Sequence, residues 1–323
     1  MVHLRIVVPP DLAAQALRVL ERSAAVSNIV VLRGAAVRPQ GDVLLCDIAR
    51  EAASILLSDL QELGVHEQGS ISVEQVDVAL SRASEAAARA APGDPANAVV
   101  WEEVEELASE STTLSASFLI FITLATLLAT VGIFLDSPIL IVGAMVLGPE
   151  FGPLASFCVG IIERRPRLAL RSFVALVVGF PVGITAAYVA ALIFRWTDLT
   201  PDEFTDAGHS FAAAFSNPDF FSFFVAFCAG IAGVLSLTTQ KSGALAGVLI
   251  SVATIPAAAN IGIEAAYENW GAWRGSMEQL AINLGAICGA GVLTLYIQRV
   301  IFIRRRAAHR RRRSGEGRAP LLG

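Results

Sequence analysis

The chain has 323 residues, of which 54% are hydrophobic and 16% charged, with a mean hydropathy of +0.62 and a formal net charge of -5. Soluble domains carry about a quarter charged residues, so this composition excludes an ordinary soluble protein and points to one embedded in a bilayer. The net charge averages an acidic first third against a C-terminal tail, IRRRAAHRRRRSGEGR, that is almost purely basic.

The opening MVHLRIVVPPDLAAQ lacks a basic stretch followed by a long apolar run, so no cleaved secretory signal is expected and the first domain is expected in the cytoplasm. Residues 3–9 suit a strand. A helix follows Asp11, with Leu12, Ala16, Leu17 and Leu20 at helical spacing. Residues 28–37 and 42–49 read as two strands joined by a turn that holds Pro39 and Gly41. REAASILLSDLQELGV reads as a second helix stopped at Gly64, and SISVEQVD as the last strand. The order βαββαβ over residues 1–80 is the ferredoxin-like pattern, two helices on one face of a four-stranded sheet.

Residues 81–112 read as a helical linker. Its Ala-rich start is broken by Pro92, Gly93, Asp94 and Pro95. The acidic helix WEEVEELASEST follows, with Val100, Val104 and Leu107 as a narrow apolar stripe. Trp101 lies either near lipid headgroups or, as the acidity of the helix favours, in a connector that packs on its own protein.

A membrane-spanning helix needs about 20 apolar residues. Six candidate spans are placed near 113–135, 138–162, 168–194, 220–239, 242–264 and 277–303, followed by a basic tail over 304–323. The positive-inside rule orients them. Arg164, Arg165, Arg167, Arg171, Lys241, Arg304 to Arg306 and Arg310 to Arg313 fall on one side, and the opposite connections hold only Arg195 and Arg274. Both termini are therefore expected in the cytoplasm, with the chain in a plasma (inner) membrane. The segment 138–162 reads as one tilted crossing, the alternative being two half-helices that re-enter.

Six spans divide into two inverted sets of three, and the middle segment of each set is interrupted by Gly, Pro and polar residues. In the first these are Gly148, Pro149, Glu150, Gly152 and Pro153. In the second they are Thr254, Pro256 and Asn260. Irregular backbone at membrane depth persists only where protein or water surrounds it, and paired breaks of this kind point to a transporter's midplane site. Glu150 stands out, because a carboxylate near the bilayer centre costs about 2.5 kcal/mol or more. It either meets a proton, a cation or a water-filled cavity, or caps the second half-helix. Asn260 either binds a substrate or ion or glues helices together, and Thr254 and Ser251 either join it or, as membrane-helix hydroxyls usually do, bond their own backbone one turn back. The pairs Gly148/Gly152, Gly243/Gly247 and Gly285/Gly289 are expected to support close helix packing, and Asn283 to act as helix glue. Asp136, Lys241 and Glu264 fall at span edges, where solvation is the default.

No phosphate loop, no H-E-x-x-H and no cluster of His or Cys appears, so an ATP-driven pump, a metalloprotease and a redox centre are not expected. The four cysteines are scattered, with neither disulfide nor zinc anticipated. His209 is expected to be solvated. No cofactor, no catalytic residue and no nucleic-acid partner is expected, since an Arg-rich tail next to a span contacts anionic lipid.

The run STTLSASFLIFITLATLLATVGIFLDSPILIVGAMVLGPEFGPL, together with SVATIPAAANIGI, resembles the DUF389 family of hydrophobic membrane proteins over roughly residues 109–302. The Asp136 to Pro153 stretch, with its Asp-Ser-Pro turn, Gly-Ala-Met helix and Gly-Pro break, is the most specific part. The resemblance implies a polytopic bacterial or archaeal membrane protein and supplies no substrate. The residues themselves favour a secondary transporter or transport-like channel for a small solute or ion, with a cytoplasmic domain that regulates it or holds a homo-oligomer together. The alternative is a membrane-anchored sensor or scaffold.

Overall fold

A computed structural model of the chain describes residues 1–76, 81–91, 99–110, 114–200, 209–239 and 243–316. It divides into two compact units, Met1–Val104 with Arg306–Gly323, and Glu105–Arg305. The linker breakers Pro92 to Pro95 and the edge residue Lys241 lie outside the described residues, as do the side chains of Gly243, Gly247 and Arg310 to Arg313.

In the first unit the elements run β1 (Val2–Val8), α1 (Pro10–Glu21), β2 (Val26–Val37), β3 (Gln40–Ile48), α2 (Arg50–Glu62), α3 (Val65–Gln68) and β4 (Ser70–Gln75). The sheet order is β2-β3-β1-β4 and every pairing is antiparallel. Strict alternation places Val2, Leu4, Ile6 and Val8 of β1 in the core with Leu44, Cys46 and Ile48 of β3. On the other face His3 pairs with Asp47 at 2.7 Å, whose second oxygen accepts from Asn28 at 2.7 Å. Leu20, Leu56, Leu57 and Leu60 of the two helices complete the core. Pro10 starts α1 at a position whose N–H is free in any helix. The short α3 was not expected from the sequence; it follows Gly64, whose φ of 76° reverses the chain after α2. Gly41 also departs from expectation. It sits inside β3, where a Cβ would run into Val8 O, and not in the turn.

Two further helices follow, α4 (Arg82–Ala90) and α5 (Trp101–Glu110). Ser81 caps α4 by accepting from the N–H groups of Ala83 and Ser84. Trp101 is 3% exposed, and its N–H donates to Ser54 Oγ at 3.0 Å. The start of the acidic helix therefore packs on its own protein, as the connector reading requires.

The second unit is helical: α6 (Ala116–Phe134), α7 (Pro138–Leu147), α8 (Phe151–Ile162), α9 (Pro166–Trp196), α10 (Ser210–Ser216), α11 (Phe220–Thr239), α12 (Gly243–Ala266) and the start of α13 (Trp270–Glu316). Among the described residues, four helices are long and apolar enough to cross a bilayer, namely α6, α9, α11 and the Trp270–Ala308 part of α13; α7 with α8, bent by 49°, makes a fifth if the pair is one span. The chain is a membrane protein. Exposed Ile139, Phe173, Phe220, Phe221 and Ile297 lie on these helices as a lipid-facing surface does.

The arrangement centres on α12, which packs against α6, α7, α8, α9, α10 and α11. From Thr254 to Glu264 every residue is buried, the pattern of a helix enclosed by others. Two expectations fail here. The helix runs unbroken through Pro256, so the second interruption does not form. Proline removes one N–H and crowds one carbonyl, and in a helix surrounded by protein that loss is absorbed locally. Glu264, expected at a solvated edge, is fully buried, because α12 is wrapped to that depth by its neighbours.

Small residues set the closest approaches. A Cβ on Gly262 would lie 2.7 Å from Ala187 Cβ, Ile184 O and Tyr188 N of α9, whereas Gly285 and Gly289 have nothing within 4 Å and do not pack within the chain as expected. Gly262→Ala is expected to cost about 1–3 kcal/mol by forcing α9 and α12 apart, read as a lower thermal midpoint in detergent. In the first unit, burial and then the charge of Asp47 push the Cys46 thiol from 9.0 up to about 12. A thiol raised in the folded state stabilises the fold fully below the unfolded value, and that contribution is lost as pH rises through the folded one. At pH 8 maleimide is expected to leave Cys46 unmodified in the native protein and to modify it after unfolding, checked by mass spectrometry.

Candidate functional site

The break between α7 and α8 follows from three residues. Pro149 disfavours helical backbone at the residue before it, and Gly148 accordingly has φ -59° and ψ 119°, ending α7. Glu150 turns back to helical angles and starts α8 as its N-cap residue. Pro153 falls in the first turn of α8, where a missing N–H costs no intrahelical bond.

Glu150 is an N-cap by position but its side chain makes no capping hydrogen bond, which removes the capping alternative. It is fully buried. Its Oε1 accepts from Thr254 Oγ1 of α12 at 2.7 Å, and that hydroxyl also has Ile250 O at 3.3 Å behind it. Oε2 has no hydrogen-bond partner among the described residues, nor has Ser251 Oγ. Both oxygens flank Gly148: a Cβ there would run into Ser251 Oγ and lie 2.6 Å and 3.0 Å from Glu150 Oε2 and Oε1. The missing side chain of Gly148 is therefore what admits the carboxyl and the serine to one notch. Pro149 and Gly152 are half-buried beside it.

A cavity of about 10 Å³ next to the break is lined by Phe151, Leu154, Cys158, Val234, Ile250 and Ile287, apolar except for one thiol. In place of two facing breaks, the structure has one break seated against a continuous helix.

Asn260 is not brought to Glu150. Its Nδ2 donates to Ser216 Oγ at 2.9 Å, Ser276 Oγ at 3.0 Å and Ala212 O at 3.3 Å, tying α12 to α10 and α13. Thr254 and Ser251 lie beside Glu150 and not Asn260, and the Thr254 hydroxyl also reaches its own backbone one turn back at Ile250 O. At about 100° per residue they share one face of α12, and Asn260 falls well away from it. Pro256 is buried between the two groups and touches neither by a polar contact. The pair Glu163 and Arg299, at 2.8 Å, links the C-terminus of α8 to α13 and was not singled out from the sequence. Only the odd acid after an apolar stretch hinted at it. Asp136, expected to be solvated, accepts from Ser210 Oγ at 2.8 and 2.9 Å and from the Phe211 N–H at 3.2 Å, capping α10.

Comparison with known proteins adds a family but no activity. The family model "Domain of unknown function (DUF389)" matches residues 145–288, a stretch that begins three residues before Gly148 and contains all of α12. An uncharacterized protein of Methanocaldococcus jannaschii, MJ0678, is 29% identical over 173 residues, 51% of this chain and 49% of the relative. The chain thus spans about half the length of that curated relative. No solved structure matches. The stretch that carries Glu150, Thr254 and Asn260 is similar to the DUF389 family, the resemblance expected from the sequence, and the match takes in the C-terminal part of the Asp136 to Pro153 stretch.

Proposed function

We propose that the helical body is a secondary transporter or transport-like channel for a small solute or ion, held here in a closed arrangement, with Glu150 as its charge-sensitive group. The carrying observation is the placement of a fully buried carboxyl, with one unpartnered oxygen, at a 49° break between two membrane helices. A group so expensive to bury, at a place where the backbone is already interrupted, suits a site that exchanges a proton or cation. The buried α12 and its neighbours support six crossings. The positions of α6 to α9 and α11 to α13 support two inverted halves, although the middle helix is broken in one half only. Arginines at 164, 165, 167 and 171 support cytoplasmic termini in a bacterial or archaeal plasma membrane. The order β2-β3-β1-β4 supports a ferredoxin-like first unit, whose role is regulation or assembly. The open glycines 285 and 289 on α13 support association with a second copy.

One observation favours a second reading, a membrane-anchored sensor or scaffold: α12 is continuous and the cavity beside the break is apolar. Flux separates the two. Full-length protein in lipid vesicles is expected to dissipate imposed cation and proton gradients faster than empty vesicles, read by an entrapped pH dye. Glu150→Gln is expected to slow that flux by about tenfold, equivalent to about 1.4 kcal/mol in the barrier. Flux and pH dependence unchanged by the substitution would remove Glu150 from the role, and parent vesicles no leakier than empty ones would favour the sensor.

A further inference from the structure

Resting on the transport reading of Glu150, we propose that the notch at Gly148 binds one dehydrated small monovalent cation, sodium in preference to potassium, through Glu150, Ser251 and Thr254. The donor set is all oxygen: two from the carboxyl and one from each hydroxyl. Oxygen ligands without nitrogen or thiolate select hard cations. Two of these oxygens, Glu150 Oε2 and Ser251 Oγ, are fully buried and unpartnered among the described residues, and both flank the space that a Gly148 side chain would take.

Charge sets the valence. α6, α7, α8 and α11 contain no acidic or basic residue, and α9 has only Arg167, Arg171 and Arg195, all in its end turns. On α12 the other charged group is Glu264, ten residues beyond Thr254, and Glu163 at the end of α8 is paired with Arg299. Among the described residues no ion pair joins a cation to Glu150, and a single carboxylate is neutralised by a single positive charge. A divalent ion would leave one charge over in the bilayer. The Thr254 hydroxyl is equipped to change role. It donates to Glu150 Oε1 now, and it can turn its hydrogen to Ile250 O, leaving a lone pair for the ion. The compact notch, bounded by backbone and a helix with no room for a methyl group, favours the smaller ion.

The test is the thermal midpoint of the full-length protein in detergent as sodium chloride replaces choline chloride at constant pH and ionic strength. A saturable rise is expected, smaller with potassium chloride. Glu150→Gln and Gly148→Ala are expected to abolish it. Ser251→Ala, which deletes an unpartnered buried hydroxyl, is expected to keep or raise the midpoint in choline while weakening the apparent sodium affinity about tenfold. Should Gly148→Ala fail to fold, the Ser251→Ala result decides. Equal midpoints for the parent in all three salts would overturn the sodium site, as would a sodium response untouched by Ser251→Ala. The vesicle flux distinguishes this failure from that of the transport reading: proton flux lost in Glu150→Gln without any sodium response leaves transport standing with a proton as the ion, whereas a sodium response without flux leaves the site and removes transport.

Discussion

The hydrogen bond from Thr254 to Glu150 is where the membrane body meets its strictest constraint. A carboxyl buried completely in an apolar protein must find its partners inside the fold, and here one oxygen does so on α12, a helix that packs against six of the others. That requirement fixes how the α7/α8 break sits. Gly148 supplies the clearance, Pro149 ends the first half-helix, and Ser251 and Thr254 lie one turn apart on the facing side of α12. The exposed faces of α6, α9, α11 and α13 are largely apolar, while buried polar side chains gather on and around α12.

The same logic accounts for the second polar group. Asn260 offers two N–H donors, and in hydrocarbon these would be costly unpaired. They are met by serine hydroxyls and a carbonyl on α10 and α13. This makes Asn260 a fastener between helices, the reading that the sequence left level with ligand binding. Glu163 with Arg299 fastens α8 to α13 in a similar way. The break at Glu150 differs from both in placing two buried oxygens, Glu150 Oε2 and Ser251 Oγ, on either side of a single glycine.

The first unit was legible because its signals are local. Alternation in β1 and β3, a proline at the first position of α1 and a glycine after α2 each act within a few residues, and the observed strand order has the βαββαβ succession read from them. What escaped was the extra turn at Val65–Gln68 and the inclusion of Gly41 in a strand. Both depend on the neighbouring strand: Gly41 lies where only the backbone of Val8 explains the absence of a side chain. In the membrane body, the apolar stretches gave α6, α9, α11 and α12 to within a few residues and Gly-Pro-Glu gave the first break, whereas α13 extends well beyond the expected 277–303 and α10 was not foreseen.

By itself the sequence determined that this protein is embedded in a membrane, where its helices lie, and that Glu150 is the anomalous group, because composition, apolar length and the cost of a buried charge are properties of the chain alone. Only the tertiary structure decided that Pro256 leaves α12 whole, that Glu264 is buried, and that Thr254 and Ser251 serve Glu150 while Asn260 serves α10 and α13. Which face of a helix meets which neighbour is settled by packing across a hundred residues of separation, and a proline breaks a membrane helix only when the surrounding protein does not absorb the hydrogen bond it loses.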